Sequence, residues 1–500
     1  MTTVSFTTQD LAGFSEASRD RNPLHLSDEY ARTTPYAEPV VFGILGTLAA
    51  LGQLPGCKDR LLQNISVEFR NPLAVGIPYR LDVIESSTDC TSVKLYDTTR
   101  LMMKTTFTFA SGHASTRPLH IAEAACPREE AADQKKEDLL PGIRVTGTYA
   151  PQAEYFAQVM TRWGLAGKGA TANQIAAMMW ASFVVGMELP GKRAIFWRLM
   201  LDFHPEQAQT KEPFFYDMAI QDFDERVDLL HIAGTFSSGT APCATAQMWA
   251  FVRQDSPRPS FRRITDLLPK SDLLRERVAL VIGGSRGLGA AITQALASQG
   301  CSVVMTYHHC STEAEQVRAS VDDRSGLIEL VQGNAADVEW CQAVRSTILK
   351  RYGRLDLLVC NASPPIRPLR LEPEKLAQFQ DFLAQSVALV TVPMSTFLDI
   401  LADQAGWNIV ISSAFVKDLP ADFPHYVTTK CAIEGLVHWA AAHHPKVRSL
   451  LVRPPKLLTD QTNTAGGRQG AMRVEQAAVS IVKHLCHPNS SEAIHILDRF

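Results

Sequence analysis

The rhythm of apolar and polar positions changes twice along the chain. Around VVFGILGTLAALG, over about residues 40–53, it predicts an amphipathic but mostly apolar helix. Four runs of strand-like composition follow: NISVEFRNPLAVG, PYRLDVIES, TSVKLYD and LMMKTTFTFAS. The same order then returns. ANQIAAMMWASFVVGMELPG predicts a second helix, and AIFWRLMLDFHP, PFFYDMAIQDFD, RVDLLHIAGTFSSG and ATAQMWAFVRQ predict four more strands. One helix followed by a run of antiparallel strands, twice over, points to a duplicated α+β unit.

Two breaks separate these segments. CPREEAADQKKEDLLPG (126–142) is charged and ends in Pro-Gly, which suits an exposed linker. QDSPRPSFRRITDLLPKSD (254–272) carries three prolines and several basic residues. Beyond it, RVALVIGGSRGLGAAITQALASQGCSVVMTYHH reads as strand, glycine loop, helix and strand. This alternation continues from about residue 275 onward and implies a parallel, doubly wound α/β sheet. The expected division is a first repeat at 1–125, a second at 140–255 and an α/β domain at 272–500.

Composition narrows the classes. The chain has 500 residues, 46% hydrophobic and 20% charged, which suits several well-buried domains. Its net charge of −3 is spread along the chain without a basic stripe, so a nucleic-acid partner is not expected. MTTVSFTTQD lacks the basic and apolar regions of a signal peptide. The apolar runs AAMMWASFVVGM and VVFGILGTLAALG are too short or too rich in small residues to span a bilayer, so no membrane association is expected. Ten cysteines occur without a C-x-x-C pair, as expected of reduced thiols in a cytoplasmic protein without a metal site. HHC at 308–310 has no matching ligand cluster nearby and reads as loop.

The chemistry of the C-terminal half begins at Gly283, where Gly-Gly-Ser-Arg-Gly-Leu-Gly follows the strand VALVI and opens a helix. Glycines are needed where the backbone turns tightly and approaches a pyrophosphate at a helix N-terminus. Gly283 to Gly287 also fits G-x-S-x-G, the nucleophile elbow of serine hydrolases. Downstream spacing decides between the two. Ser413 ends the strand NIVISS, Tyr426 follows 13 residues later, and Lys430 stands four beyond it. Positions i and i+4 share a helix face, so the ammonium can sit beside the phenol and lower its pKa from about 10. Tyr426 then becomes a proton donor to a carbonyl that receives hydride, with Ser413 bonded to the same oxygen.

Together these residues resemble the short-chain dehydrogenase/reductase family, and within it the 3-oxoacyl thioester reductases, over roughly residues 276–500. The resemblance implies a Rossmann fold in which Gly283, Gly287 and Gly289, with Ser285, Arg286 and Leu288 between them, bind the cofactor. Asn361, in CNAS (360–363), stands at the family's Asn-Asn-Ala-Gly turn, and RPPKLLT (453–459) places Thr459 near the nicotinamide carboxamide. His308, Asn334, Tyr426 and Lys430 complete the implied cofactor contacts. TYHH (306–309), at the end of the second strand, holds no acid for the ribose hydroxyls, and Arg286 lies in the glycine loop. Both favour NADP, hence NADPH as reductant. The chain departs from the family's pattern at several places. Gln385 and Ser386 stand where the family has a helix asparagine that holds a proton-relay water. Pro455 and Ser363 replace glycines, and Asn334 replaces an adenine-contacting aspartate.

The N-terminal half carries Asp20-Arg-Asn22-Pro-Leu-His25 ahead of the helix that begins near Gly43. Taken alone, Asn-Pro is a common turn pair. Removal of an α-proton and a β-hydroxyl, however, needs two titratable groups on one side of a substrate, and a helix N-terminus suits the charge that builds on a thioester oxygen. With the helix and SVEFRNPLAVG behind it, the motif resembles the MaoC-like (R)-specific enoyl thioester hydratases, over about residues 7–110. That resemblance implies a hot-dog fold, Asp20 and His25 as the acid/base pair, and Asn22 and the Gly43 amide as groups orienting the substrate and holding its oxyanion. The second repeat lacks the motif, so it is expected to be the non-catalytic half of a double hot dog, with His204 and His231 as ordinary strand-region histidines.

The two resemblances imply consecutive steps. Reduction of a 3-oxoacyl thioester gives the 3-hydroxyacyl thioester that a dehydratase converts to the 2-enoyl product, as in fatty-acid-like or polyketide assembly on acyl carrier protein or coenzyme A. The same chemistry run backwards is hydratase and dehydrogenase in β-oxidation. A third reading has one domain catalytic and the other a scaffold or carrier-docking module. Both families tend to self-associate, so a homodimer is expected.

Overall fold

The computed structural model describes residues 2–56, 59–87, 89–114, 128–205, 213–322, 325–488 and 492–500. They form two compact units, Met1–Asp255 and Ser256–Phe500.

In the first unit the strands are β1 (Thr2–Val4), β2 (Arg60–Phe69), β3 (Tyr79–Ser87), β4 (Cys90–Asp97), β5 (Arg100–Ser111), β6 (Arg144–Tyr149), β7 (Ala194–Phe203), β8 (Phe214–Asp224), β9 (Leu229–Ser238) and β10 (Ala241–Val252). They join in one antiparallel sheet of order β1-β3-β4-β5-β2-β7-β10-β9-β8-β6. The seam between its halves is β2 against β7, with Ile65 opposite Leu201 and Val67 opposite Leu199. Read outward from that seam, β2-β5-β4-β3-β1 and β7-β10-β9-β8-β6 follow the same plan.

The strands bury one face. Along β10, Ala244, Ala246, Met248, Ala250 and Val252 are inside and the residues between them are not. That face packs on helices Gly43–Gly52 and Ala172–Phe183, each of which lies between the outermost strand of its half, β1 or β6, and the four strands that follow. Neither helix presents a polar face, so tertiary burial holds both in place. Fully burying side chains such as Ile44 and Phe183 contributes roughly 1.5–3 kcal/mol each.

The charged segment expected to be an exposed linker is mostly exposed, and it is also fastened to the second repeat at a few points. Residues 126 and 127 lie outside the described residues, but from Arg128 the chain is tied to the second repeat. Arg128 pairs with the buried Glu188, and Asp133 with Lys192 and Arg193. The main chain of Ala132 exchanges hydrogen bonds with Met187 and Lys192. Gly191 allows this approach, since a Cβ there would lie 2.1 Å from the Ala132 carbonyl oxygen.

In the second unit a parallel sheet is built from β11 (Val278–Ile282), β12 (Ser302–Tyr307), β13 (Ile328–Gln332), β14 (Leu357–Cys360), β15 (Trp407–Ile411) and β16 (Arg448–Val452). A short ribbon follows, β17 (Leu457–Leu458) with β18 (Met472–Arg473), and then β19 (Ile494–Leu497) closes the large sheet. Its order is β13-β12-β11-β14-β15-β16-β19. β11 is buried along its whole length, as a central parallel strand requires. The strand order reverses beside β11, which opens a crevice at the carboxyl ends of β11 and β14. The proline-containing break at 254–272 is structured here: helix Phe261–Leu267 packs on helices Gly287–Ser298 and Val474–Cys486.

Helix Leu376–Asp403, which continues the 3-10 turn Pro373–Lys375, is the stretch long and apolar enough to cross a membrane by length and composition. Neither apolar run singled out in the sequence meets that test. Core helices of soluble proteins pass it too, and this helix packs on helix Pro424–His443 and β14.

Candidate active sites

The crevice of the second unit is lined by the glycine loop. Gly283 has φ +77°, a region L side chains rarely adopt, and a Cβ there would meet Ala362 at 2.9 Å. A Cβ on Gly289 would lie 2.1 Å from the Gly283 carbonyl oxygen and 2.5 Å from Asn361 Nδ2. Asn361 itself donates to that carbonyl at 2.9 Å, tying the end of β14 to the loop after β11. Gly287 stands beside Thr459, whose Cγ2 lies 3.4 Å from where a Cβ would be. Helix Gly287–Ser298 starts without a side-chain cap from Arg286. Leu288 is buried, Ser285 is half-buried, and Arg286 pairs with Asp460 at 3.0 Å. His308 and Asn334 are exposed and turned to local partners. The ring of His308 lies against His309, and Asn334 Oδ1 accepts from the Ala336 amide.

Ser413 follows β15, and Tyr426 and Lys430 lie on helix Pro424–His443. The Lys430 ammonium donates to the Ile411 carbonyl at 2.8 Å and lies 5.4 Å from the centre of the Tyr426 ring. Burial pulls the Lys430 pKa down to about 8. Burial also pushes the Tyr426 phenol up, and a hydrogen bond with Ser413 draws it partly back. The lowering expected from the neighbouring cation is therefore not the dominant effect. Lys430 spends its proton on a carbonyl, and both groups are desolvated.

One further turn along the helix is Glu434, which accepts from Ser412 Oγ at 2.6 Å and forms a two-pronged pair with Arg453. Tyr426, Lys430 and Glu434 thus share one face, and two of them grip the end of β15. Sequence reasoning missed Glu434, whose i+8 spacing from Tyr426 is its one signal in the sequence. At the place of the expected helix asparagine, Gln385 is exposed, whereas Ser386 is buried with its hydroxyl unpaired among the described residues. Around Tyr426 stand Phe382 and Phe415, with ring centres at 6.4 and 5.9 Å.

In the first unit, Asp20 lies between helix Thr8–Ser18 and the short helix Pro23–Leu26 and is 2% exposed. Its Oδ2 accepts from Ser182 Oγ at 2.7 Å and its Oδ1 from the Asn22 amide at 3.1 Å. Burial outweighs both bonds and raises its pKa to about 7. His25 stacks on Phe42, ring centres 3.9 Å apart, and its Nδ1 lies 2.7 Å from the Val40 carbonyl. Burial and the charge of Arg253 push its pKa down to about 4 in spite of that bond. Phe42 is the residue before Gly43, so the imidazole sits beside the start of helix Gly43–Gly52, which has no side-chain cap. Gly43 is partly open where Ile44 to Ala50 are buried, and a Cβ there would meet the Phe69 ring at 2.7 Å.

Asn22 departs from the role expected of it. Its Nδ2 donates to the Gly186 and Gly191 carbonyls and its Oδ1 accepts from the Leu24 amide, so both ends pin the backbone and no amide hydrogen is left to donate to a substrate oxygen. Ser182 and Gly186, from the second repeat, were missed. A Cβ on Gly186 would lie 2.3 Å from Asp20 Oδ1. No short-range spacing signals this contact, because it joins the two repeats. Among the described residues no group of three or more His, Cys, Asp or Glu side chains is arranged to hold a metal ion. His231 stacks on Trp249 at 4.5 Å within the sheet.

Comparison with known proteins bears on the second unit. A family model described as short chain dehydrogenase matches residues 277–469. An uncharacterized oxidoreductase of Methylorubrum extorquens is 30% identical over 198 residues, which span 39% of this chain and 78% of that protein. A 3-oxoacyl-[acyl-carrier-protein] reductase of Synechocystis is 40% identical over 89 residues, 18% of this chain and 36% of that enzyme. A metagenomic short-chain oxidoreductase solved in complex with NADP is 26% identical, with 45% of this chain and 97% of that one covered and a TM-score of 0.39. Through its second unit, with the glycine loop and Tyr426 and Lys430 in place, this chain belongs to the short-chain dehydrogenase family.

Proposed function

We propose that the chain is a bifunctional enzyme. It reduces a 3-oxoacyl thioester with NADPH and dehydrates the 3-hydroxyacyl product to the 2-enoyl thioester, on acyl carrier protein or coenzyme A. The observation that carries this reading is that one chain holds Ser413, Tyr426 and Lys430 for carbonyl reduction, together with a buried protonatable acid, Asp20, and a neutral imidazole, His25. The repeated plan of the first unit, a buried helix and its strands on either side of β2 and β7, supports the double hot-dog reading.

The crevice suits the cofactor. Gly289 leaves no room for a Cβ, which lets the helix start close against the Gly283 carbonyl and Asn361, and that uncapped helix start offers amides to a pyrophosphate. Bound NADPH would supply a hydride to the carbonyl carbon. Tyr426, kept protonated by its burial, gives its proton to the carbonyl oxygen, and the Ser413 hydroxyl holds that oxygen. Lys430 keeps a positive charge beside the phenolate that forms.

For dehydration the partners of His25 support one division of roles. A carbonyl oxygen accepts only, so Nδ1 carries the hydrogen toward Val40 and Nε2 keeps its lone pair. Nε2 then takes the α-proton, and the charge on the thioester oxygen is met by the helix amides at Gly43. Asp20, half-protonated near neutral pH, gives its proton to the β-hydroxyl, which leaves as water.

Acetoacetyl thioester with NADPH tests the whole reading. Tyr426→Phe should stop NADPH oxidation and leave water loss from supplied 3-hydroxybutyryl thioester intact. Asp20→Asn or His25→Ala should let the 3-hydroxy product accumulate. A wild type that oxidises no NADPH with any 3-oxo thioester overturns the reductase step, and normal dehydration by Asp20→Asn overturns the second.

A further inference from the structure

Four charged side chains gather beside the glycine loop. Arg286 Nη1 lies 3.0 Å from Asp460 Oδ2, and Arg258 Nη2 lies 3.1 Å from Glu313 Oε1. Arg258, Arg286 and Glu313 all act electrostatically on Asp460, so the four share one local field. Arg258 belongs to Ser-Pro-Arg-Pro-Ser (256–260), which precedes residues 277–469 matched by the family model. The segment is fastened on both sides of Arg258. Ser256 Oγ donates to Asp460, and the Ser260 amide donates to Glu475 at 3.1 Å. Two prolines stiffen the stretch between these points.

Glu313 gives Arg258 its significance. TYHH ends β12 without an acid, yet the first turn of the next helix, Ser311–Ser320, supplies one: Glu313, 8% exposed. A carboxylate beyond the second strand accepts the ribose hydroxyls of NAD and repels a phosphate on that ribose. Alone, Glu313 would turn the crevice towards NAD, against Arg286. Arg258 offsets it.

We propose that Arg258 is a specificity-determining residue for the cofactor: it neutralises Glu313 and, with Arg286, presents a second guanidinium to the 2′-phosphate of NADP(H). The inference rests on the reading that this crevice takes NADP(H). Two arginines already held by partly or largely buried carboxylates are pre-positioned, and a phosphate can accept from their forks with little loss of side-chain freedom.

Equilibrium titrations of the full chain with NADP+, NAD+ and 2′,5′-ADP, followed by tryptophan fluorescence or calorimetry, test it without turnover. Wild type should bind NADP+ more tightly than NAD+. Arg258→Gln should weaken NADP+ and 2′,5′-ADP by about tenfold or more and leave NAD+ within about twofold, which also reports that the crevice is folded. Adding Glu313→Gln to Arg258→Gln should recover much of the lost NADP+ affinity, and Arg258→Lys should keep most of it. If Arg258→Gln binds NADP+ as wild type does, while wild type prefers NADP+, the proposal fails and the NADP reading stands. If wild type itself prefers NAD+, the NADP reading fails first.

Discussion

Ser182 of the second repeat donates a hydrogen bond to Asp20 of the first, Oγ to Oδ2 at 2.7 Å, in a site from which Asp20 is 2% exposed. The half that lacks the Asp-x-Asn-Pro-x-His motif therefore holds the acid of the half that has it. Ser182 lowers the Asp20 pKa and burial raises it further than that, to about 7. Removing the hydroxyl in Ser182→Ala should move the pKa higher still. If Asp20 works as the protonated acid, the alkaline fall of dehydration lies near pH 7 in wild type and shifts upward in Ser182→Ala. A pH profile of kcat/KM on 3-hydroxybutyryl thioester reads this directly, and an unmoved limb would assign the titration to another group.

The same shift has a thermodynamic side. Asp20 titrates near 3.8 when unfolded and near 7 when folded, so between those values the native state binds more protons than the unfolded one. Stability then falls as pH rises through that window, by up to about 4 kcal/mol once the carboxylate is fully ionised. Asp20→Asn removes the penalty and keeps the shape. Its thermal midpoint relative to wild type should be several degrees higher at pH 8 than at pH 5. An equal difference at both values would place the ionisation of Asp20 outside this range.

Gly186 is the second inter-repeat contact on the acid. A methyl group there would have to occupy space 2.3 Å from Asp20 Oδ1. Gly186→Ala should cut dehydration by about tenfold to a hundredfold through misplacement of the acid and leave NADPH oxidation with 3-oxo substrate unchanged. Loss of both activities would mean that the chain no longer folds, and circular dichroism distinguishes the two cases.

The parts of these sites that were legible in the sequence are those in which a short stretch fixes its own geometry. Gly283, Gly287 and Gly289 declare themselves because backbone sterics demand glycine there, and Tyr426 and Lys430 because a helix repeats every 3.6 residues. The helix and the four strands after it in each half of the first unit follow from alternation and apolar runs in the same way, whereas the outer strands β1 and β6 carry no such signal. What stayed hidden was long-range. Ser182 and Gly186 reach Asp20 across the repeats, and Arg258 meets Glu313 from a segment that reads as a proline-rich break. Asn22 was misread because an Asn-Pro pair gives no sign that its amide would be taken up by the Gly186 and Gly191 carbonyls. The charged run from Arg128 is largely solvated, as its composition suggests, but nothing local foretells that Arg128 meets Glu188 and that Asp133 meets Lys192 and Arg193.

In the proposed reduction, Lys430 is the group expected to set the alkaline behaviour. Burial depresses its pKa to about 8, whereas the Tyr426 phenol is pushed above its ordinary value. The group that changes charge first on raising pH is thus the lysine. Reduction should decline above about pH 8 as the charge beside the developing phenolate is lost. In the same range the unfolded state binds the extra proton, so stability rises from about pH 8 towards 10.5 while activity falls. Opposite slopes of activity and thermal midpoint in wild type, with the activity slope flattened in Lys430→Arg, are the expected result. Parallel slopes would point to alkaline unfolding instead.

Gly289 and Asn361 offer the sharpest separation of the two units. Asn361 Nδ2 donates to the Gly283 carbonyl at 2.9 Å, and a Cβ on Gly289 would crowd both atoms of that bond, at 2.5 and 2.1 Å. Gly289→Ala must push the loop after β11 away from the end of β14, or shift the start of helix Gly287–Ser298. Either movement displaces the amides that would receive the pyrophosphate. Asn361→Asp keeps the shape but replaces the donor with an acceptor facing a carbonyl, an uncompensated repulsion of about 1–3 kcal/mol. Both variants should therefore lose NADPH binding, Gly289→Ala by at least about a hundredfold and Asn361→Asp by about tenfold. Dehydration of supplied 3-hydroxyacyl thioester should persist in both, since Asp20 and His25 belong to the first unit. Titration with NADPH, alongside the loss of water from 3-hydroxybutyryl thioester, measures the two effects in one preparation. Retained NADPH affinity in Gly289→Ala would show that the pyrophosphate does not lie against this turn.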